Sequence, residues 1–238
     1  MDTIKELIEI RRNIENLIEG LRKPPEPSQG SNGLLTPKRE SDLSESLSRP
    51  SVAIVVGHSR MGDWGAVAAD TMTTEWVYNN ELAWMIQDHL PSSIHSTVID
   101  SIPAKTYAKA VQYLQKKLNP LDIELVVELH FNSGPPTAQG YEVYHWETSL
   151  KGKQAAENIL QKLKGTFPNN VNRGTKHRNS TAQRGGRFLK ELQAPALILE
   201  PFFGSNQREW KFFKNKENKT YLAKAIASGI TSSVSLWK

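Results

Sequence analysis

The chain has no cysteine among its 238 residues. Disulfides and thiolate metal ligands are thereby excluded, and any metal must be held by histidine or carboxylate side chains. No apolar run approaches the ~18–20 residues that a membrane-spanning helix needs, so no transmembrane segment is expected. The N-terminal stretch intersperses Asp2, Lys5, Glu6, Glu9, Arg11, Arg12, Glu15 and Glu19 among its apolar positions. That leaves no uninterrupted hydrophobic centre for a secretory signal peptide. No nucleic-acid-binding motif and no basic stripe with interleaved aromatics is found, so no nucleic-acid partner is expected.

What is present suits a globular domain. A hydrophobic fraction of 38% and 6 tryptophans suffice for the core of one α/β domain with an appendage. A net charge of +5 favours anionic partners. Residues 1–22 read as an amphipathic helix: Leu7, Ile14 and Leu21 recur every seven, Ile10 and Leu17 fall at the intermediate spacing, and Ile4, Ile8 and Ile18 widen the stripe. Such a face should dock on the following domain, on a second copy as a homo-oligomer, or on another protein. Residues 23–50 form a linker, stiff at Lys23-Pro24-Pro25-Glu26-Pro27, flexible at Gly30-Ser31-Asn32-Gly33 and serine-rich thereafter.

From 51 to 238 strand and helix patterns alternate. Strands are predicted near 51–57, 95–100, 123–130, 139–145 and 195–200. Helices are predicted near 74–90, 104–118, 149–164 and 219–234, with a shorter one around 206–213. The implied fold class is α/β, a twisted, mostly parallel sheet with helices on both faces. Three apolar runs end at chemically active residues: Val55-Val56-Gly57-His58, Val126-Val127-Glu128-Leu129-His130 and Leu197-Ile198-Leu199-Glu200. In open sheets ligands bind beyond the carboxyl ends of the strands, so these three residues should converge. Thr74 can cap a helix whose first turn carries Glu75, near the positive end of the helix dipole. His58, Glu75 and His130 would then make a His-Glu-His set for zinc, with the fourth position left to water. Glu81 is the alternative third ligand, although it lies about 240° around the helix from Glu75. Glu200 would stay off the metal and serve as the base.

Several motifs, in order, carry a family resemblance. They are Gly57-His58-Ser59 with Gly62-Asp63-Trp64-Gly65-Ala66, Glu75 with Asn79, Glu128-Leu129-His130-Phe131-Asn132-Ser133, and Gly140-Tyr141-Glu142-Val143-Tyr144. Asn172-Arg173-Gly174-Thr175-Lys176 and Leu199-Glu200-Pro201-Phe202-Phe203-Gly204-Ser205-Asn206 complete them. From Ser51 onward the chain resembles the zinc-dependent N-acetylmuramoyl-L-alanine amidases, which cleave peptidoglycan between muramic acid and the stem peptide. It departs from their pattern at Ser59, where glycine is usual and where a side chain adds bulk beside the metal, and at Pro201.

The resemblance implies Zn2+ on His58, Glu75 and His130 and Glu200 as the catalytic base. Asn132, Arg173 and Lys176 are candidate substrate-binding residues, the last two within a basic segment that includes Arg178, Arg184 and Arg187. Glu128, on the same strand face as His130, can either support a ligand or form a structural ion pair. With peptidoglycan as substrate, the positive charge suits a wall rich in anionic groups. The missing signal peptide suggests a phage-encoded product, made in the host cytoplasm and acting on the wall, or one carried on a virion or tail-like particle through residues 1–22. Two rival readings are a cell-wall-binding protein without chemistry and a metallopeptidase acting on another peptidoglycan amide.

Overall fold

The computed structural model of the chain describes residues 49–59 and 61–237. The expected N-terminal helix and nearly all of the expected linker lie outside them. Six strands form one sheet: β1 (Ser51–Val56), β2 (His95–Ile99), β3 (Leu125–Leu129), β4 (Tyr141–Trp146), β5 (Asn172–Arg178) and β6 (Ala196–Glu200). Their spatial order is β2-β1-β3-β6-β4-β5. The pairs β1–β2, β1–β3, β3–β6 and β4–β5 are parallel, and β4 runs antiparallel to β6. Among the described residues, six helices accompany the sheet: α1 (Glu75–Asp88), α2 (Tyr107–Leu118), α3 (Leu150–Thr166), α4 (Gly186–Glu191), α5 (Gln207–Phe213) and α6 (Lys216–Ser235).

Strands β1, β3 and β6 are apolar because both of their faces are covered. In β1, Val52, Ile54 and Val56 join a core built with α1, α3, α5 and α6. Ala53 and Val55, on the opposite face, join a second core with α2 and α4. The two-residue period of a strand thus divides one continuous apolar run between two layers. Five of the helices open on Thr74, Thr106, Ser149, Asn206 or Asn215, each accepting a backbone N–H of the first turn. Such caps fix where the chain turns from loop to helix.

Five strands and five helices lie where the sequence pattern indicates. Strand β5 and helix α4 do not follow from that pattern. Strand β5 reads Asn-Arg-Gly-Thr-Lys-His-Arg and sits at the sheet edge with an exposed or half-exposed face. It carries no apolar alternation, so its strand character comes from pairing with β4. Helix α4 begins after Gly185 in the left-handed region, with no side-chain cap, and so lacks a start signal.

Helix α6 packs on α3 at a point of very close approach. A Cβ on Gly229 would lie 2.6 Å from Ile159 Cα. Alanine normally stabilises a helix interior by about 1 kcal/mol relative to glycine, but crowding of a packed interface costs about 1–3 kcal/mol. Gly229→Ala is therefore expected to lower the melting temperature by several degrees in thermal denaturation. A rise would contradict the packing described.

Candidate metal centre and catalytic cavity

The sheet register brings the site together. Gly57 N donates to Leu129 O at 2.9 Å and His130 N to Leu199 O at 3.0 Å. The ladder therefore continues one residue past β1 and β3, setting His58, His130 and Glu200 side by side at the carboxyl edge. The chain leaves β1 for β2 on one side and reaches β3 on the other, so this edge is the switch point of the sheet. Helix α1 supplies Glu75 at its first residue.

Glu75 is buried between the two imidazoles. Its Oε1 lies 2.8 Å from His130 Nδ1 and accepts Phe131 N at 3.0 Å; its Oε2 accepts Ala66 N at 3.0 Å. His58 Nε2 lies 3.1 Å from Glu75 Oε2, but this buried nitrogen makes no hydrogen bond. Among the described residues, His58, Glu75 and His130 are the one group whose ligand atoms, all within 4.8 Å of one another, can hold a metal ion. Each histidine turns its remaining nitrogen to another carboxylate. His58 Nδ1 lies 2.9 Å from Asp63 Oδ1, and His130 Nε2 lies 3.3 Å from Glu128 Oε2. Carboxylates in that position fix the ring orientation of metal-binding histidines and raise their basicity. Two oriented imidazoles, one carboxylate and an orphaned ring nitrogen fit a divalent cation of zinc's preferences.

Electrostatics follow from this arrangement. Burial opposes charge on both histidines, but the carboxylates outweigh it: Glu75 raises the pKa of His58, and Glu128 with Glu75 raises that of His130. Burial likewise opposes charge on Glu75, and His130 and His58 outweigh it to hold its pKa below the usual carboxylate range. Glu200 behaves differently. Burial pushes its pKa up to about 7, with His130 and Arg184 pulling the other way, and its Oε2 is a buried oxygen without a hydrogen-bond partner. A carboxyl near 7 suits both taking and returning a proton.

Two glycines permit the close approach. A Cβ on Gly57 would lie 2.4 Å from His130 Cε1, and one on Gly65, with φ +74°, would lie 2.7 Å from both His58 and Glu75. His58 itself has φ 69°, a left-handed conformation costing about 1–3 kcal/mol in a non-glycine residue. Ser59, buried beside His58, donates its hydroxyl to Ile102 O at 2.7 Å. It thereby pins the loop after β1.

His58, His130 and Glu200 open onto a cavity of about 540 Å³ that also presents Glu128 and Asn132. Asn132 donates to Glu142 Oε1 at 2.7 Å. Arg173 and Lys176 are not among the residues lining this cavity. Arg173 Nε donates to Glu142 Oε2 at 2.8 Å, and Lys176 lies on β5 in register with Tyr144. Further along the same basic segment, Arg178 and Arg184 do line it. Asp63 was legible only as part of the Gly62-Asp63-Trp64-Gly65 motif. Its role becomes visible once the loop folds back on His58.

A family model described as N-acetylmuramoyl-L-alanine amidase matches residues 52–232. Solved structures share the fold. An amidase of Clostridioides difficile, determined in complex with the GerS lipoprotein, superposes with a TM-score of 0.70 at 21% identity, covering 79% of this chain and 100% of that one. The catalytic domain of the amidase CwlV from Bacillus (Paenibacillus) polymyxa var. colistinus gives 0.65 at 20% identity, covering 78% and 98%. The catalytic domain of an endolysin targeting Clostridia difficile gives 0.63 at 25%, covering 77% and 98%. Among curated proteins no sequence matches the chain.

If Asp63 orients His58, Asp63→Ala is expected to weaken divalent-cation affinity about 10- to 100-fold in a chelator competition. Unchanged affinity would remove Asp63 from the centre.

Proposed function

We propose that this chain, which belongs to the N-acetylmuramoyl-L-alanine amidase family, is a zinc hydrolase with His58, Glu75 and His130 as the metal ligands and Glu200 as the catalytic acid–base. Membership makes it an enzyme that acts on the amide between N-acetylmuramic acid and L-alanine in peptidoglycan. This reading is carried by the pairing of a three-ligand group with a separate carboxyl, that of Glu200, whose Oε2 is buried without a hydrogen-bond partner.

Bound zinc would supply Lewis acidity at the scissile carbonyl and acidify a water at neutral pH. The chain's own residues do the rest. Glu200 takes a proton from the attacking water and returns it to the departing L-alanine nitrogen, which is a very poor leaving group unless protonated. One carboxyl can serve both steps because its pKa lies near 7, so neither direction of transfer is steeply uphill. Asp63 and Glu128 hold the two imidazoles in place. Asn132, lining the cavity and anchored by Glu142, offers a polar contact to the substrate. Arg173, tied to the same Glu142, would act on Asn132 rather than on substrate directly. Lys176 would meet substrate only at the outer rim.

The biological setting we propose is phage-type or particle-associated, acting on the cell wall. The endolysin likeness supports it. Residues 1–22 would then provide attachment to a particle protein or to a second copy. No helix of the described residues is long and apolar enough to cross a membrane.

Glu200→Gln keeps the shape of the side chain and removes the base. Digestion of purified sacculi by the unaltered enzyme should release intact stem peptides and leave unsubstituted lactyl groups, read by mass spectrometry. The variant should lose at least about 100-fold in rate while retaining its metal. Turnover surviving in Glu200→Gln would refute the assigned base, and cleavage within the stem would refute the assigned bond.

A further inference from the structure

The catalytic cavity is lined by three cationic side chains that amide hydrolysis at Glu200 does not require: Lys105, Arg178 and Arg184. Some cations of the fold are neutralised by a carboxylate: Arg173 has Glu142, Arg187 has Glu191 and Lys219 has Glu81. Among the described residues, no carboxylate lies within ion-pair distance of Lys105, Arg178 or Arg184.

Two of these cations are positioned by the protein. The Arg178 guanidinium lies 4.2 Å from the centre of the Tyr144 ring. Its Nε donates to Arg184 O at 3.0 Å and its Nη1 to His177 O at 3.4 Å. A guanidinium held against an aromatic ring in this way keeps donors able to meet a planar anion. The loop that carries Arg184 is itself built: Gln183 Oε1 accepts Asn179 N at 3.0 Å and Ser180 N at 3.2 Å. Gly185 then turns at φ +79°, where a Cβ would lie 2.4 Å from Ile198 Cδ1. The Arg184 side chain makes no hydrogen bond among the described residues, and it is close enough to Glu200 for its charge to be felt there.

The chemistry of the substrate says which anion could arrive. On the sugar side the lactyl carboxyl is consumed in the scissile amide, and the remaining groups are neutral. On the peptide side the alanine carboxyl is consumed in the next bond. The second residue is a glutamate joined onward through its side chain, so its α-carboxyl is the first free anion. It lies about one extended residue, ~3.5 Å of chain, beyond the alanine. In some stem peptides that carboxyl is amidated.

We propose that Arg178 and Arg184 form a carboxylate subsite for the second residue of the stem peptide, selecting the free acid over its amide. This rests on the amidase reading above and deepens it. Lys105, on the same cavity wall, adds positive potential without the planar fork of arginine.

The test compares N-acetylmuramoyl-L-alanyl-D-glutamate with its α-amide, two substrates of equal size that differ in one charge, using the metal-loaded full chain. The acid should be favoured in kcat/KM by about 10- to 100-fold, the range of one or two charge-assisted hydrogen bonds. The ratio should fall towards one in Arg178→Gln and Arg184→Gln, and Arg178→Lys should restore part of it. A ratio near one in the unaltered enzyme, or an undiminished ratio in both glutamine variants, overturns the subsite. Should neither compound be cleaved, the amidase reading falls instead. Calorimetric binding of the same pair then decides the subsite, tighter binding of the acid supporting it and equal binding overturning it.

Discussion

The structure depends on a carboxylate that is 2% exposed and yet fully engaged. An ionised carboxylate buried alone is prohibitively costly. Glu75 is tolerated because an imidazole nitrogen, two backbone N–H groups and a second imidazole crowd its oxygens. Those contacts come from two places, the exit of β3 and the loop after β1, and meet the carboxylate at the start of α1. Glu75 therefore fixes a helix and a loop against the sheet edge as well as completing the group of candidate ligands. Placed at the first residue of α1, it also faces the favourable end of the helix dipole.

Such convergence requires room as well as charge. Gly57 and Gly65 supply it, because any side chain at either position would occupy space taken by His130, His58 or Glu75. The left-handed backbone of His58 is retained where Asp63 and the Gly57 ladder bond hold the residue on both sides. Glu200 stands apart from the ligand group with one oxygen unsatisfied and its pKa raised by burial. The proposed cation binding and proton transfer at this sheet edge rest on the contrast between two neighbouring glutamates, one with its pKa lowered and one with its pKa raised to about 7.

Much of this was legible in the sequence, for a physical reason. Strands β1, β3 and β6 are buried on both faces, so they read as unbroken apolar runs, and the polar residue that ends each run stands out. The helix caps are equally local: Thr74, Thr106, Ser149, Asn206 and Asn215 each sit immediately before their helices. What stayed hidden depends on contacts distant in sequence. Strand β5 is polar throughout and forms only because β4 offers an edge. Arg173 and Arg178 belong to the same basic stretch, yet one is absorbed by Glu142 and the other is stacked on Tyr144 in the cavity. No periodicity separates those two outcomes. Glu128 was readable as lying on the face of His130, but its contact with that ring needed the fold.

The proposed chemistry requires His58, Glu75 and His130 to share one divalent ion. Metal stoichiometry of the zinc-loaded full chain, measured by elemental mass spectrometry after exhaustive dialysis, addresses that most directly. It should give about one zinc per chain, and near zero in each of His58→Ala, Glu75→Gln and His130→Ala with the fold intact by circular dichroism. Full retention of zinc in folded forms of all three variants would contradict it.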